Sequence, residues 1–440
     1  MEALFQYFIY LVLFVELLLC FKKSIYGLCG LITIRVLIPE IVRISFPISL
    51  SLNTYCVIFL LLGLLKERQN IKITEPLPKT IILFFIFFFL TLLLSDYTDL
   101  KYQSFSTLKL FLTDYLPAVL AYFIINDKYD ISLFAKVLSV SIIISCIYAF
   151  VTIIIGTNPY NLLINILYKE DFNLNNVLLD GGTAGTFAHP NGFGFFIPIA
   201  FSFFVIILSY DKSKLYYLVL LLLLIGAIGC QKRTCFISLF IYFAFIVGFS
   251  NIQKKIKYIS YALFVGVIFL LIIISLPKSN RVSRILETSL SFWDDKIAER
   301  NNITGSSFEM RMEQITYPFV MIKDNIWFGK GSGYIDYYQN VEGNLSHPIL
   351  KGFETLPCKI ELETGIFGFF IWAFFLLRMM KHTSINDINR IRLFRGLWLS
   401  QITVWLASGF SSFAVFGVLV VSMSKLDMLK NQTILCTRYQ

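Results

Sequence analysis

Charge is scarce in this sequence. Asp, Glu, Lys and Arg together make up 15% of the 440 residues, where a soluble domain carries roughly 25%. The charge is also clustered, which excludes an ordinary water-covered surface. No stretch alternates polar and apolar residues over about ten positions, which excludes the outer-membrane strand pattern. There is no repeat at a fixed period and no low-complexity tail. The eight cysteines form neither a disulfide framework nor a zinc spacing. Cys20, Cys29, Cys56, Cys146 and Cys235 lie in apolar segments, and Cys230 and Cys235 read as packing residues; Cys358 is assigned to a large outer loop at 277–359. The first apolar stretch has no basic lead and no small-residue cleavage site, so it reads as a retained span rather than a signal peptide.

What is present is apolar length. Hydrophobic residues make up 57% of the chain, and phenylalanine alone fills 45 positions. Runs at 81–94, 133–155, 193–208, 215–228 and 259–276 reach or approach the roughly 20 residues that cross about 30 Å of hydrocarbon as a helix. Helix is required because a lipid-exposed backbone must satisfy its hydrogen bonds within its own segment. The pattern predicts an all-α polytopic membrane protein with about 12 transmembrane helices and one large, partly helical periplasmic loop. The spans fall near 3–21, 25–42, 47–65, 79–95, 107–125, 131–155, 188–209, 213–230, 233–250, 257–276, 360–380 and 396–425. Residues 1–276 then form a bundle of about ten spans, 277–359 the loop, and 360–440 the final spans and a cytoplasmic tail. The 396–425 stretch is long enough to break at Ser408–Gly409 or Ser411–Ser412 into a hairpin. Counting back through ten spans puts the N-terminus on the loop side; losing the weak 25–42 span would reverse it.

The net charge of +10 does not point to nucleic acid. The 83-residue loop holds ten Lys/Arg and ten Asp/Glu, so the excess sits in the short connectors 22–23, 66–79, 254–257 and 378–395. Short basic loops stay cytoplasmic, which makes the chain a multi-pass membrane protein with its long loop on the outer side. A loop of that length without a function would be unusual.

Four outer segments hold residues able to do chemistry. Arg233 and Lys232 sit in GCQKRTCF at the start of a span, on the side where positive charge is disfavoured. They either face a functional cavity or snorkel to headgroups. His189 and Asn191 lie in GTFAHPNGFG; Pro190 suits a first helical turn, the glycines permit close backbone approach to a sugar or phosphate, and His is a proton carrier near neutral pH. A structural turn explains the same glycines. Arg311 opens a segment in which Met312, Ile315, Phe319 and Ile322 share a helical face, as an amphipathic helix lying on the domain would. Gly329, Gly331 and Gly333 come after it without the preceding strand a dinucleotide loop needs. In HPILKGFETLPCKIELETGIFGFF, Glu361 and Glu363 can be read as first-turn acids favoured by the helix dipole. Glu354 has no such explanation and is the candidate proton acceptor, with His347 nearby.

Taken in order, these segments resemble the O-antigen polymerase and O-antigen ligase family of bacterial envelope glycosyltransferases. GTFAHPNGFG is similar to the family's Gly-His-Pro-Asn lead into a span, and QKRT to its Ser-Arg-Thr/Gly element. MRMEQITYPFVMIKDNIWFGKGSGYID is similar to its Arg followed by a glycine-rich turn, and ELETGIFG to its E-x-G-x-x-G start of the span after the loop. The resemblance covers roughly residues 180–370. It implies transfer from a saccharide on undecaprenyl pyrophosphate, with Arg233 and Arg311 holding the pyrophosphate, assisted by Lys232 and Asn191. Glu354, His189 and His347 become the proton-handling candidates, with no cofactor and no metal. A chain-length regulator and a flippase are partners such an enzyme would meet, besides the lipid bilayer; nucleic acid is not among them. Ligases of the family carry His about nine residues before the E-T-G. Here that position is Glu354, with His347 seven residues further upstream, so the sequence favours a repeat-unit polymerase over a ligase. A transporter or flippase is the alternative from another class; inverted repeats and midplane charges would mark it, and only Glu16 and Asp114 lie at midplane.

Overall fold

The computed structural model describes residues 2–39, 42–44, 50–67, 75–96, 99–160, 162–163, 182–230, 232–250, 308–340, 353, 355–382, 385, 387–407 and 413–426, with isolated positions 253, 255, 256 and 260. Its elements are helices, joined by a two-residue antiparallel pair (β1, Arg43–Ile44; β2, Leu50–Ser51). The helices are α1 (Glu2–Lys22), α2 (Ser24–Leu37), α3 (Leu52–Lys66), α4 (Pro76–Leu94), α5 (Leu100–Leu110) and α6 (Leu116–Ile124). Next come α7 (Lys128–Ile155), α8 (Pro190–Leu208), α9 (Lys214–Cys230) and α10 (Arg233–Gly248). The loop contributes α11 (Phe308–Met321) and α12 (Tyr334–Asn340), and α13 (Leu356–Lys381), α14 (Ile388–Leu406) and α15 (Phe413–Ser424) close the chain. Among the described residues, five helical stretches are long and apolar enough to cross a membrane by length and composition, and further shorter apolar helices pack with them. The predicted span at 257–276 lies outside the described residues, apart from Ser260.

One expectation about span boundaries changes, and one left open is decided. The 107–125 span begins earlier: α5 and α6 run through a π-helical stretch, Phe111–Tyr115, as one apolar rod from Leu100. The 396–425 stretch is indeed two helices, α14 and α15. The weak second span is a helix whose Arg35 is buried and donates to the Thr113 carbonyl in the π-helical stretch. An intramembrane guanidinium is tolerated when it faces the bundle and meets backbone oxygen.

Contacts between helix ends establish which ends lie together. Arg390 at the start of α14 donates to the Ser209 carbonyl after α8 (3.2 Å), and Arg392 to the Phe249 carbonyl after α10 (2.8 Å). Thr80 in α4 meets His382 after α13 (3.1 Å), and Lys425 donates to the Tyr122 and Ile125 carbonyls at the end of α6. Lys23 pairs with Asp130 at the start of α7 (3.2 Å). The basic connectors therefore gather at one end of the bundle. The other end carries the loop helices, the starts of α8, α10 and α13, and the start of α1. The N-terminus thus lies at the loop end.

The core is close-packed aromatic and aliphatic. Phe84, Tyr115, Phe375 and Phe413 bring α4, the π-helical stretch, α13 and α15 together at ring separations of 4.3–5.9 Å. Between helices in lipid, such packing and interhelical hydrogen bonds replace the hydrophobic effect; the buried Ser238–Ser400 pair (2.7 Å) joins α10 to α14 in that way. A second, smaller core lies under the loop: Ile322, Tyr334, Ile335, Phe353, Cys358 and Leu362.

Candidate active site

At the loop end, the segment from Gly182 to Thr186 is buried, an irregular backbone tucked among helices. Such backbone is tolerated at depth only when its polar groups are met by protein. Here Thr183 bonds Thr152 (2.7 Å), Thr186 bonds Ser145 (2.7 Å) and the Val36 carbonyl (2.6 Å), and Asn158 donates to the Gly185 carbonyl (3.1 Å). The Thr183 amide in turn donates to the Gly229 carbonyl (2.9 Å), tying the segment to the end of α9. This docking fixes the start of α8, only a few residues further along the chain.

His189 is the N-cap of α8. Its Nδ1 accepts the Asn191 amide at 3.1 Å, and Pro190 occupies the first turn as the sequence suggested. An accepting Nδ1 leaves the proton of the neutral ring on Nε2. Desolvation by the surrounding protein, with the nearby Lys232 ammonium, holds the imidazole below its usual 6.5, at about 4, although part of the ring stays exposed. The ring can offer an Nε2 hydrogen bond, and its charged form is disfavoured by the cation beside it.

Lys232 and Arg233 stand beside this cap. Lys232 is the N-cap residue of α10 and Arg233 its first residue. Gly194, in the first turn of α8, packs so closely that a Cβ there would lie 3.1 Å from the Lys232 Cβ. Two helix N-termini, each with partial positive charge, thus converge beside the Lys232 side chain, with Arg233 the next residue in the chain. Both cations are half-buried and engaged with the protein. The arrangement suits an anion held from several sides.

A second constellation is built where the loop meets α13. Gly365 adopts φ 68°, ψ −174° and breaks α13 in its interior. The break frees backbone groups that the loop takes up: Lys330 N to Leu362 O (2.9 Å), Gly331 N to Glu363 O (2.8 Å), Ile366 N to Ile326 O (3.0 Å) and Phe367 N to Trp327 O (3.1 Å). A Cβ on Gly365 would run into the Trp327 carbonyl. The same turn is clasped from the α4–α5 connection. Asp96 N donates to Gly329 O (2.9 Å), Lys330 pairs with the Asp96 carboxylate (2.9 Å), and Gln103 donates to the Lys330 carbonyl (3.2 Å). The glycine-rich turn is therefore a lock onto the ELETG segment.

This geometry corrects three expectations. Glu361 and Glu363 are buried and lie beyond the first turn of α13, so the helix dipole does not explain them. Glu363 accepts the Gly333 and Ile335 amides at the start of α12, with Lys359, Asp336 and Tyr102 close by, and its Oε1 is buried without a hydrogen-bond partner. The amphipathic face is also different. Met312, Ile315 and Phe319 are exposed, and the buried row is Gln314, Pro318 and Ile322. Periodicity alone points the apolar residues inward, but α11 turns a polar and a proline position toward α13. Cys358, assigned to the loop, belongs to the first turn of α13 and is buried.

Arg311 falls within α11. Glu354 and His347 lie outside the described residues. Of the predicted residues the structure thus brings together His189, Asn191, Lys232 and Arg233. At the loop lock it adds Asp96, Tyr102, Gln103, Lys330 and Lys359, which sequence reading missed, and Glu363, which it read as a first-turn acid. Only the acidic ELETG segment and the glycines signalled them, and Asp96, Tyr102 and Gln103 meet the loop and α13 across more than 200 positions of chain.

With this geometry established, the comparison with known families is specific. Residues 196–373 match the family model described as O-antigen ligase. The matched stretch runs from α8, seven residues past His189, to the middle of α13, and it includes Arg233, Arg311 and the Gly365 lock. It bears out the resemblance to the O-antigen polymerase and ligase family and points to a multi-pass membrane enzyme of that type, acting in polysaccharide biosynthesis. No curated protein matches the chain.

Proposed function

We propose that this chain is a membrane glycosyltransferase that polymerises undecaprenyl-pyrophosphate-linked oligosaccharide repeat units at the periplasmic face of the bacterial inner membrane. The observation that carries the reading is the meeting of Lys232, Arg233 and the N-terminus of α8 beneath the His189 cap, within and beside the family-matched stretch. When a sugar bond to a pyrophosphate breaks, negative charge grows on the leaving oxygens. Fixed cations and helix N-termini aimed at that position stabilise the transition state more than the ground state. Arg233 and Lys232 take this role, and Arg311 joins them from the loop. His189 Nε2 and Asn191 orient donor or acceptor oxygens. The acceptor sugar hydroxyl needs a base, and Glu354, nine residues before Glu363, is the residue proposed for it.

Ligase activity is the second reading, favoured by the description of the matching family. The two part on a deletion strain. Loss of a polymerase leaves single repeats on the envelope acceptor, whereas loss of a ligase leaves long chains on the lipid carrier. A polysaccharide gel distinguishes them, and an unchanged ladder after deletion refutes both. Glu354→Gln should slow transfer more than donor binding; unchanged turnover removes it from the mechanism.

A further inference from the structure

A feature at the opposite, basic end of the bundle has no part in that chemistry. Between α4 and α13 runs an open groove of about 720 Å³. Its floor and walls are apolar, with Leu83, Phe87 and Phe370 among them, and all three are exposed. Its end at the basic side is lined by Lys79, Arg378 and His382, and no carboxylate lines it among the described residues. The Arg378 guanidinium lies over the Phe374 ring at 5.1 Å, which keeps the charge above the groove. Thr80 donates to the Pro76 carbonyl (2.7 Å), so at its contact with His382 (3.1 Å) the imidazole Nε2–H is the donor. Glu75, just before α4, is turned elsewhere: it accepts from Tyr122 (3.4 Å) and lies near Lys425.

The dimensions match one lipid leaflet. From Arg378 to Phe367 is a run of eleven residues along α13, about 16 Å at about 1.5 Å rise per residue. Half of an approximately 30 Å hydrocarbon layer is about 15 Å. The groove thus begins at the headgroup level of the basic side and ends near the midplane. Basic pockets between membrane helices on that side recognise anionic headgroups, and the exposed phenylalanines provide a surface for an acyl chain.

We propose that the α4–α13 groove is a binding site for an anionic phospholipid of the leaflet on the basic side, its phosphate held by Lys79 and Arg378 and its acyl chain lying along Leu83, Phe87 and Phe370. The site lies at the end of the bundle opposite the Arg233 constellation, so it is independent of the proposed transfer reaction.

The test is native mass spectrometry of the full chain released from bilayers of equal phosphatidylglycerol and phosphatidylcholine. The wild-type chain should retain phosphatidylglycerol preferentially. Lys79→Gln with Arg378→Gln should lower that preference by about 30-fold, the equivalent of about 1 kcal/mol for each basic residue near a headgroup. Lys212→Gln with Lys214→Gln removes the same charge from the same end away from the groove and should leave the preference intact. Lys79→Arg with Arg378→Lys, which keeps the charge, should retain it too. No headgroup preference in the wild-type chain overturns the proposal. So does an equal loss in the Lys212/Lys214 variant, or loss in the charge-conserving one. Complete displacement of the lipid by millimolar inorganic phosphate would also overturn it, by showing a free-anion site.

Discussion

Replacing Gly365 by alanine should release the loop from α13 without unfolding the bundle. The residue sits at φ 68°, ψ −174°, a region essentially reserved for glycine that costs other residues about 1–3 kcal/mol. The added Cβ also meets the Trp327 carbonyl, a backbone group with no rotamer to move aside. Relief requires separating 326–331 from 362–367, which breaks four backbone hydrogen bonds, each with a net worth of about 1 kcal/mol. Those bonds favour the docked state, so what disfavours it is the backbone strain of about 1–3 kcal/mol together with the Cβ clash, or about one to two powers of ten in the opening equilibrium. Cys358 reports the event because it is buried in the small core made by Ile322, Tyr334, Ile335 and Leu362. A membrane-impermeant maleimide, followed by mapping of the peptide that carries Cys358, should show slow labelling in the wild-type chain and labelling about 10- to 100-fold faster in Gly365→Ala. Equal labelling in both would refute the lock.

The remaining predictions concern the charged groups. Arg233→Ala and Arg311→Ala should each abolish chain extension while leaving membrane abundance unchanged; retained polymer in a gel of envelope polysaccharide would argue against pyrophosphate binding. Glu363→Ala removes the acceptor for the Gly333 and Ile335 amides and should weaken loop docking by about 1–2 kcal/mol, seen as faster hydrogen exchange over 333–337, whereas Glu363→Gln keeps an acceptor and should lose less. His189→Asn should preserve the α8 cap, and with it expression, because Asn caps as well as any residue, while His189→Ala should lose about 1 kcal/mol. For pH, the folded-state value of about 4 lies below the usual 6.5. Between these values the unfolded chain binds a proton that the folded chain does not. The stability His189 contributes is therefore full above pH 6.5 and declines as pH falls toward 4. Thermal melts of wild type and His189→Asn should diverge only in that window, with the wild type losing more.

The segment order of the chain was legible in one dimension because membrane helices are specified locally. Apolar length, Pro190 at the first turn of α8 and lysines in the short connectors each act within a few residues. The start of α10 at Arg233 was legible for the same reason, and the serines and glycine of the 396–425 stretch marked where it could break. The loop was not. Periodicity points Met312, Ile315 and Phe319 inward, because it assumes that an apolar face seeks a core. At a membrane end lipid also accepts apolar side chains, so exposure there carries little cost.

By itself, then, the sequence determined that the chain is a many-span helical membrane protein, that one end collects its positive charge, and that His189, Arg233 and ELETG border the interrupted stretches. Only the tertiary structure decided what those interruptions do. It placed Lys232 against Gly194 and made Gly365 a break whose freed carbonyls hold the glycine-rich turn. It also set Lys79 and Arg378 together at the end of a leaflet-long groove. Each of these is a contact between residues distant in the chain, fixed by backbone hydrogen bonding and close packing between helices, and no local pattern encodes it.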